Sequence, residues 1–302
     1  MKKYSVLVCI LILFSCDKNE EIIDFHNNSL ILESTGSFIF NQYIPLQEKP
    51  IEVFYHIPLN STNNTEILFV LHGSGRNGKD LRDQLIIQAN LLSFIIICPV
   101  FDNINFDGGD GYNLANIFVD GDNPSPETLN SESVWITSVF DPIFNYFKNA
   151  SNNIDPEYDL LGFSAGAQLA HRFFLFNQEN YCDKVIAMSS GWYTTLDQNI
   201  NFPYGTQASP FDINSIESLL TQNLTILIGE NDTDPNAVGL RHNETVDLQG
   251  NNRLNRANYF YNSASNKASE SGYNFNWEII TVTNTAHEFL PLATYATEIL
   301  YQ

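Results

Sequence analysis

Apolar residues fall into two alternating patterns along this chain, short continuous runs and stretches in which they recur at helical spacing. Runs at 37–44, 51–57, 67–71, 94–98, 158–162, 185–189, 224–228 and 277–282 are bounded by turn residues and predict eight strands. Several, such as Ile67-Leu68-Phe69-Val70-Leu71, are apolar at every position, as strands covered on both faces are. Helical spacing at 79–92, 133–148, 165–177, 253–270 and 286–300 places helices between them. Two strands followed by strand–helix repeats predict an α/β fold, with an eight-stranded, mostly parallel sheet and helices on both faces. Ligands of such sheets bind beyond the carboxyl ends of the strands. The Gly-, Asp- and Asn-rich stretch 102–130 is longer than an ordinary connection and points to a functional loop near that edge.

The first residues read as an address rather than as fold. Lys2 and Lys3 precede an apolar run from Val6 to Phe14 that is too short to span a bilayer as a helix, so export is expected. Leu13-Phe14-Ser15-Cys16 resembles a bacterial lipobox, which implies cleavage before Cys16 and a lipid on that residue. The expected organisation is a signal peptide at 1–15, a polar tether at 16–36 and one catalytic domain at 37–302. Acidic residues after Cys16 resemble the surface-export signals of some Gram-negative outer-membrane lipoproteins, whereas Asp17 directly after it resembles an inner-membrane retention signal, and both readings stay open.

Charge narrows the partners. Lys and Arg total 14 against 35 Asp and Glu, a formal charge of -21, so a nucleic acid backbone is repelled. With Cys9 cleaved and Cys16 lipidated, Cys98 and Cys182 are too few for a disulfide framework. No His or Cys pair has zinc-ligand spacing and no phosphate loop is present. Gly108-Gly109-Asp110-Gly111 faintly resembles a single calcium-binding repeat, but one copy does not make a site, so no metal or other cofactor is expected.

The chemistry centres on Gly162-Phe163-Ser164-Ala165-Gly166, directly after a predicted strand and before a predicted helix. This G-x-S-x-G context lifts a serine hydroxyl clear of the sheet as a nucleophile. A nucleophilic serine needs a base and an orienting acid. Asp232 ends the strand Leu224 to Ile228 in a loop, and His287 follows the last strand, giving the order Ser, Asp, His. Asp234 is the rival acid in the same loop; His242, the other histidine beyond Asp232, reads as a surface residue. Oxyanion donors are expected from the backbone amides of Ala165 and Ser74, with Gly73 next, because His72-Gly73-Ser74-Gly75 follows the third strand. His72 reads as structural. Trp192 and Tyr193 follow a predicted strand and are candidates for lining the substrate pocket.

With these residues in view, the chain from about Ser37 onward resembles the serine-esterase branch of the α/β-hydrolase superfamily. Gly229-Glu230-Asn231-Asp232-Thr233 looks like the acid loop of cutinase-like polyester hydrolases. The loop His72-Gly73-Ser74-Gly75 looks like that of secreted esterases and polyhydroxyalkanoate depolymerase-like enzymes. The resemblance implies hydrolysis of carboxylic esters, small or polymeric, through an acyl-enzyme, with Ser164, His287 and Asp232 as nucleophile, base and acid. Acyl or aryl esters on extracellular polysaccharide are the favoured class. A peptidase or amidase on the same fold and an inactive glycan- or partner-binding surface lipoprotein are the alternatives. Oligomeric state is not readable from the sequence.

Overall fold

The computed structural model describes residues 34–302, so the basic and apolar leader, Cys16 and most of the tether lie outside the described residues. Eight strands form one sheet: β1 (Thr35–Phe40), β2 (Ile51–His56), β3 (Ile67–Leu71), β4 (Ile95–Val100), β5 (Tyr158–Phe163), β6 (Cys182–Met188), β7 (Asn223–Gly229) and β8 (Glu278–Val282). Their spatial order is β1-β2-β4-β3-β5-β6-β7-β8. β2 pairs antiparallel with both β1 and β4, and every pairing from β3–β4 to β7–β8 is parallel.

The period-2 geometry of a strand sorts β3 between two cores. Ile67, Phe69 and Leu71 join one cluster with Phe144 and Phe147 of α2 (Phe140–Ser151), Leu169 and Phe173 of α3 (Ala165–Phe176) and Phe260 of α5 (Arg253–Ser271). Leu68 and Val70 join the other with Leu81 and Leu85 of α1 (Gly78–Leu92) and Leu292 and Ala296 of α6 (Phe289–Tyr301). Burial on both faces accounts for the absence of polar positions in β3.

Two helices begin later than their periodicity predicts, and for one reason. Proline has no N–H to donate and fits only the first turn of a helix. Pro142 therefore sets the start of α2 at Phe140, where a helix from 133 was expected, and residues 132–139 form two 3-10 turns around an extended Trp135. Pro291 likewise sets the start of α6 at Phe289 and leaves His287 in a loop. A short helix, α4 (Ile216–Thr221), carries too few positions to show a period. β1 starts at Thr35, inside the stretch expected to be tether.

The long stretch 102–130 is compact. Phe106, Tyr112, Leu114, Ile117 and Phe118 are buried within it. Three of its five aspartates are satisfied locally, Asp102 accepting from the Ile104 and Asn105 amides, Asp110 from Gly121 and Asp120 from Asp122 and Asn123, while Asp122 pairs with Arg241.

Candidate active site

Ser164 stands alone between β5 and α3, with φ 56° and ψ -111°. A non-glycine residue at such angles costs about 1–3 kcal/mol, so surrounding contacts must hold it there. Two close approaches do so. A Cβ at Gly162 would lie 2.2 Å from the Gly166 carbonyl oxygen, and one at Gly166 would lie 2.3 Å from that of Leu71 and 2.6 Å from that of His72. Only hydrogen fits at either place, so the two motif glycines let α3 leave the sheet at a sharp angle against β3. The Ser164 amide is fixed by the Met188 carbonyl at 2.9 Å.

Asp232 and His287 arrive from neighbouring strand ends. Beyond β7 and β8 the two loops are joined by Glu230 N–H to Val282 O at 2.9 Å and Asn231 N–H to Thr285 O at 2.8 Å. A Cβ at Gly229 would lie 2.4 Å from the Thr285 oxygen, so this glycine also permits a close approach. The His287 Nδ1 lies 2.8 Å from Asp232 Oδ2 and its Nε2 3.1 Å from Ser164 Oγ. Because a carboxylate only accepts, Nδ1 carries the proton and Nε2 is left to accept from the hydroxyl. The imidazole stacks on Phe163 at 4.8 Å, which limits its rotation. His287 retains 29% side-chain exposure against 3% for Asp232, so the proton-accepting end meets solvent and the orienting end does not.

Burial would push the Asp232 carboxyl up, but the hydrogen bond and charge of His287 and the charge of Arg253 outweigh it and hold the group below its ordinary value. Arg253 Nη1 lies 3.3 Å from Asp232 Oδ1. Arg253 has no motif to mark it in the sequence, although one signal is present. A cation in the first turn of a helix opposes the helix dipole, and such a locally unfavourable choice points to a tertiary partner.

Asp234, the rival acid, is exposed, and its Oδ1 accepts from the Asn236 amide at 2.8 Å. His242 lies on the surface, bonded to Asp247 and to the Pro235 carbonyl.

The loop after β3 passes beside the serine: a Cβ at Gly73 would lie 3.6 Å from Ser164 Cβ. His72 is fully buried and organises that loop. Its Nε2 accepts from the Phe101 amide at 3.1 Å, so Nδ1 is the donor to the Gly73 carbonyl at 2.8 Å. Burial pushes the ring down to about 4, which keeps it neutral and this tautomer fixed. Holding the Gly73 oxygen turns the Ser74 N–H the opposite way across a planar trans peptide. Tyr112 OH donates to the His72 carbonyl at 2.6 Å. Arg76 donates to the carbonyls of Phe101, Phe106 and Gly108, which fastens stretch 102–130 to the same loop. Ala165 opens α3, where first-turn N–H groups have no partner within the helix.

Trp192 and Tyr193 depart from expectation. Their exposures are 3% and 0%: the guanidinium groups of Arg172 and Arg241 lie 4.4 and 5.1 Å from the Trp192 ring, and Tyr193 stacks on Phe260 at 4.5 Å. Both side chains fill the interior beneath the strand edge instead of lining an open pocket. A cavity of about 490 Å³ lies toward the other end of α3, walled by Asp141, Phe173, Phe176, Asn177 and Phe211 among others, and none of Ser164, Asp232 and His287 lines it.

Poly(aspartic acid) hydrolase-1 from Sphingomonas sp. KT-1 superposes with a TM-score of 0.82 at 32% identity, covering 89% of this chain and 99% of its own. The chain belongs to the α/β-hydrolase superfamily. A poly(3-hydroxybutyrate) depolymerase from Bordetella parapertussis gives a TM-score of 0.83 at 23% identity, over 90% of this chain and 91% of that one, which shows a shared fold. The fluorophosphonate-binding serine hydrolase F of Staphylococcus aureus has a TM-score of 0.55 at 13% identity, over 89% of this chain and all of its own. No family model and no curated protein sequence matches the chain. The eight-stranded sheet is therefore that of an α/β-hydrolase, and the chain is a hydrolase.

Proposed function

We propose that this hydrolase cleaves carboxylic esters through an acyl-enzyme on Ser164. The observation that carries the reading is the continuous contact of Ser164 Oγ, His287 and Asp232, at 3.1 and 2.8 Å. Ser164 Oγ attacks the acyl carbonyl as its proton passes to His287 Nε2, and Asp232 holds the tautomer and stabilises the imidazolium. The Ser74 and Ala165 amides, with Gly73 beside them, receive the developing oxyanion. His287 then returns the proton to the leaving alkoxide, and water, activated by the same imidazole, releases the acid.

The charge of -21 favours neutral acyl groups over polyanions, because like charge lowers encounter. Acyl or aryl esters on extracellular polysaccharide fit that preference and the exported, Cys16-lipidated form suggested by the leader. A second reading, amide hydrolysis, is favoured by the relative at 32% identity, which is named for a polymer whose units are joined by amide bonds. Turnover of p-nitrophenyl esters, matched anilides and glycan-linked esters, with Ser164→Ala as control, separates these. Ester turnover lost in Ser164→Ala is the expected result; equal activity in that variant refutes the nucleophile. Palmitate incorporation that disappears in Cys16→Ala tests the anchor.

A further inference from the structure

We propose that Arg253 is a positioning residue of this active site, its buried guanidinium gripping one oxygen of Asp232 so that the other is presented, ionised, to His287. The inference rests on the serine-hydrolase reading and assigns a fourth member to the Ser164–His287–Asp232 set.

Three observations carry it. The first is the geometry: Arg253 Nη1 lies 3.3 Å from Asp232 Oδ1 while Oδ2 is taken by His287 Nδ1 at 2.8 Å, so the two carboxylate oxygens serve different cations. Side-chain exposures of 5% and 3% put the Arg253–Asp232 pair out of water, where a guanidinium without a carboxylate is costly. The second is the backbone: Leu254 N–H donates to the Asp232 carbonyl at 3.2 Å, so the first turn of α5 holds both the main chain and the side chain of the acid. The third is the lack of a local reason for a cation there. Asn252 already caps α5 by accepting from the Asn255 amide, and a positive charge in the first turn opposes the helix dipole. Arg256, one turn on, cannot substitute, because it is engaged with Asp247 and with the carbonyls of Gly250, Gly191 and Arg241.

The groups facing Asp232 are His287 from the loop after β8, Arg253 from α5, and the Ser189 hydroxyl and Tyr193 phenol from the segment after β6. Of these, only Arg253 brings a charge that does not change over the working pH range. Without it, burial is opposed by His287 and neutral hydroxyls alone, and the carboxylate takes up a proton at higher pH.

The test is the rate of fluorophosphonate labelling at Ser164 between pH 4 and 9, in which the Ser164 oxygen forms a bond to phosphorus, fluoride departs and the proton goes to His287. In Arg253→Met the acid limb is expected to move up by about one to two pH units, the order expected on removing a unit charge several ångströms away at an effective dielectric of about 20. Arg253→Lys, which keeps the charge, should stay closer to the parent limb. A uniform fall in rate with an unmoved limb overturns the proposal, since a purely structural role scales the profile without displacing it. Should Arg253→Met fail to fold, the Arg253→Met, Asp232→Asn double variant removes both buried charges and is expected to fold; if it also fails, Arg253 is scaffold and the proposal falls. Absence of labelling in the parent chain would sink the serine-hydrolase reading instead.

Discussion

Replacing Gly166 by alanine tests whether the turn at Ser164 depends on contact between α3 and β3. The added Cβ would meet Leu71 O at 2.3 Å, His72 O at 2.6 Å and Leu71 C at 2.7 Å, all backbone atoms that no rotamer change can move. Ordinary contact requires a retreat of about 1 Å by the helix or the strand. Overpacking of this kind costs about 3 kcal/mol, which lowers the melting temperature by on the order of 10 °C in a domain of this size. The displaced element carries Ser164 on one side and the His72–Ser74 loop on the other, and a shift of about 1 Å in such a constellation costs on the order of 100-fold in rate. Urea unfolding and the rate of fluorophosphonate labelling read the two losses separately. Gly75→Ala is the control: its Cβ meets nothing nearer than Asn77 Oδ1 at 3.7 Å, and stability should stay within about 0.5 kcal/mol. A Gly166→Ala chain as stable and as reactive as that control would refute the packing argument.

Asp232→Asn should slow labelling by about four orders of magnitude through loss of the tautomer, while Asp234→Ala leaves it unchanged; the reverse outcome would exchange the two acids. His72 is neutral in the folded chain with its proton affinity depressed to about 4, so its contribution to stability is present above about pH 6.5 and is lost as pH falls toward 4. The stability gap between the parent chain and His72→Gln should therefore shrink by about 3 kcal/mol across that window in urea titrations, and a constant gap would contradict it. Arg76→Met removes the donor to the Phe101 carbonyl and to two carbonyls of stretch 102–130; a loss of about 2 kcal/mol and faster amide exchange in that stretch are expected, and unchanged exchange would show that the tie is not what orders it.

The strands were legible because β3 and β4 are covered on both faces and so carry unbroken apolar runs. The helix starts at Phe140 and Phe289 were hidden because the apolar period extends past the prolines that end it. The meeting of Ser164, Asp232 and His287 was legible through motif and order, since each sits at a strand end that the sequence already marks. Trp192 and Tyr193 were expected at the pocket because they follow a strand, but a place just after a strand does not tell an aromatic residue aimed at solvent from one turned into the interior. Arg253 was missed because its partner is 21 residues away, and only its odd placement at a helix start hinted at one.

The hollow at the tail of α3 bears on inhibitor discovery. α3 rises about 18 Å from its first residue to its last, so a compound chosen to fill the space beside Phe176 and Phe211 would rest roughly a helix length from the reacting hydroxyl. Thermal-shift hits against that space would register occupancy without arresting turnover. Electrophiles directed at the Ser164 hydroxyl would instead test the proposed nucleophile, because they report formation of a bond and not mere occupancy.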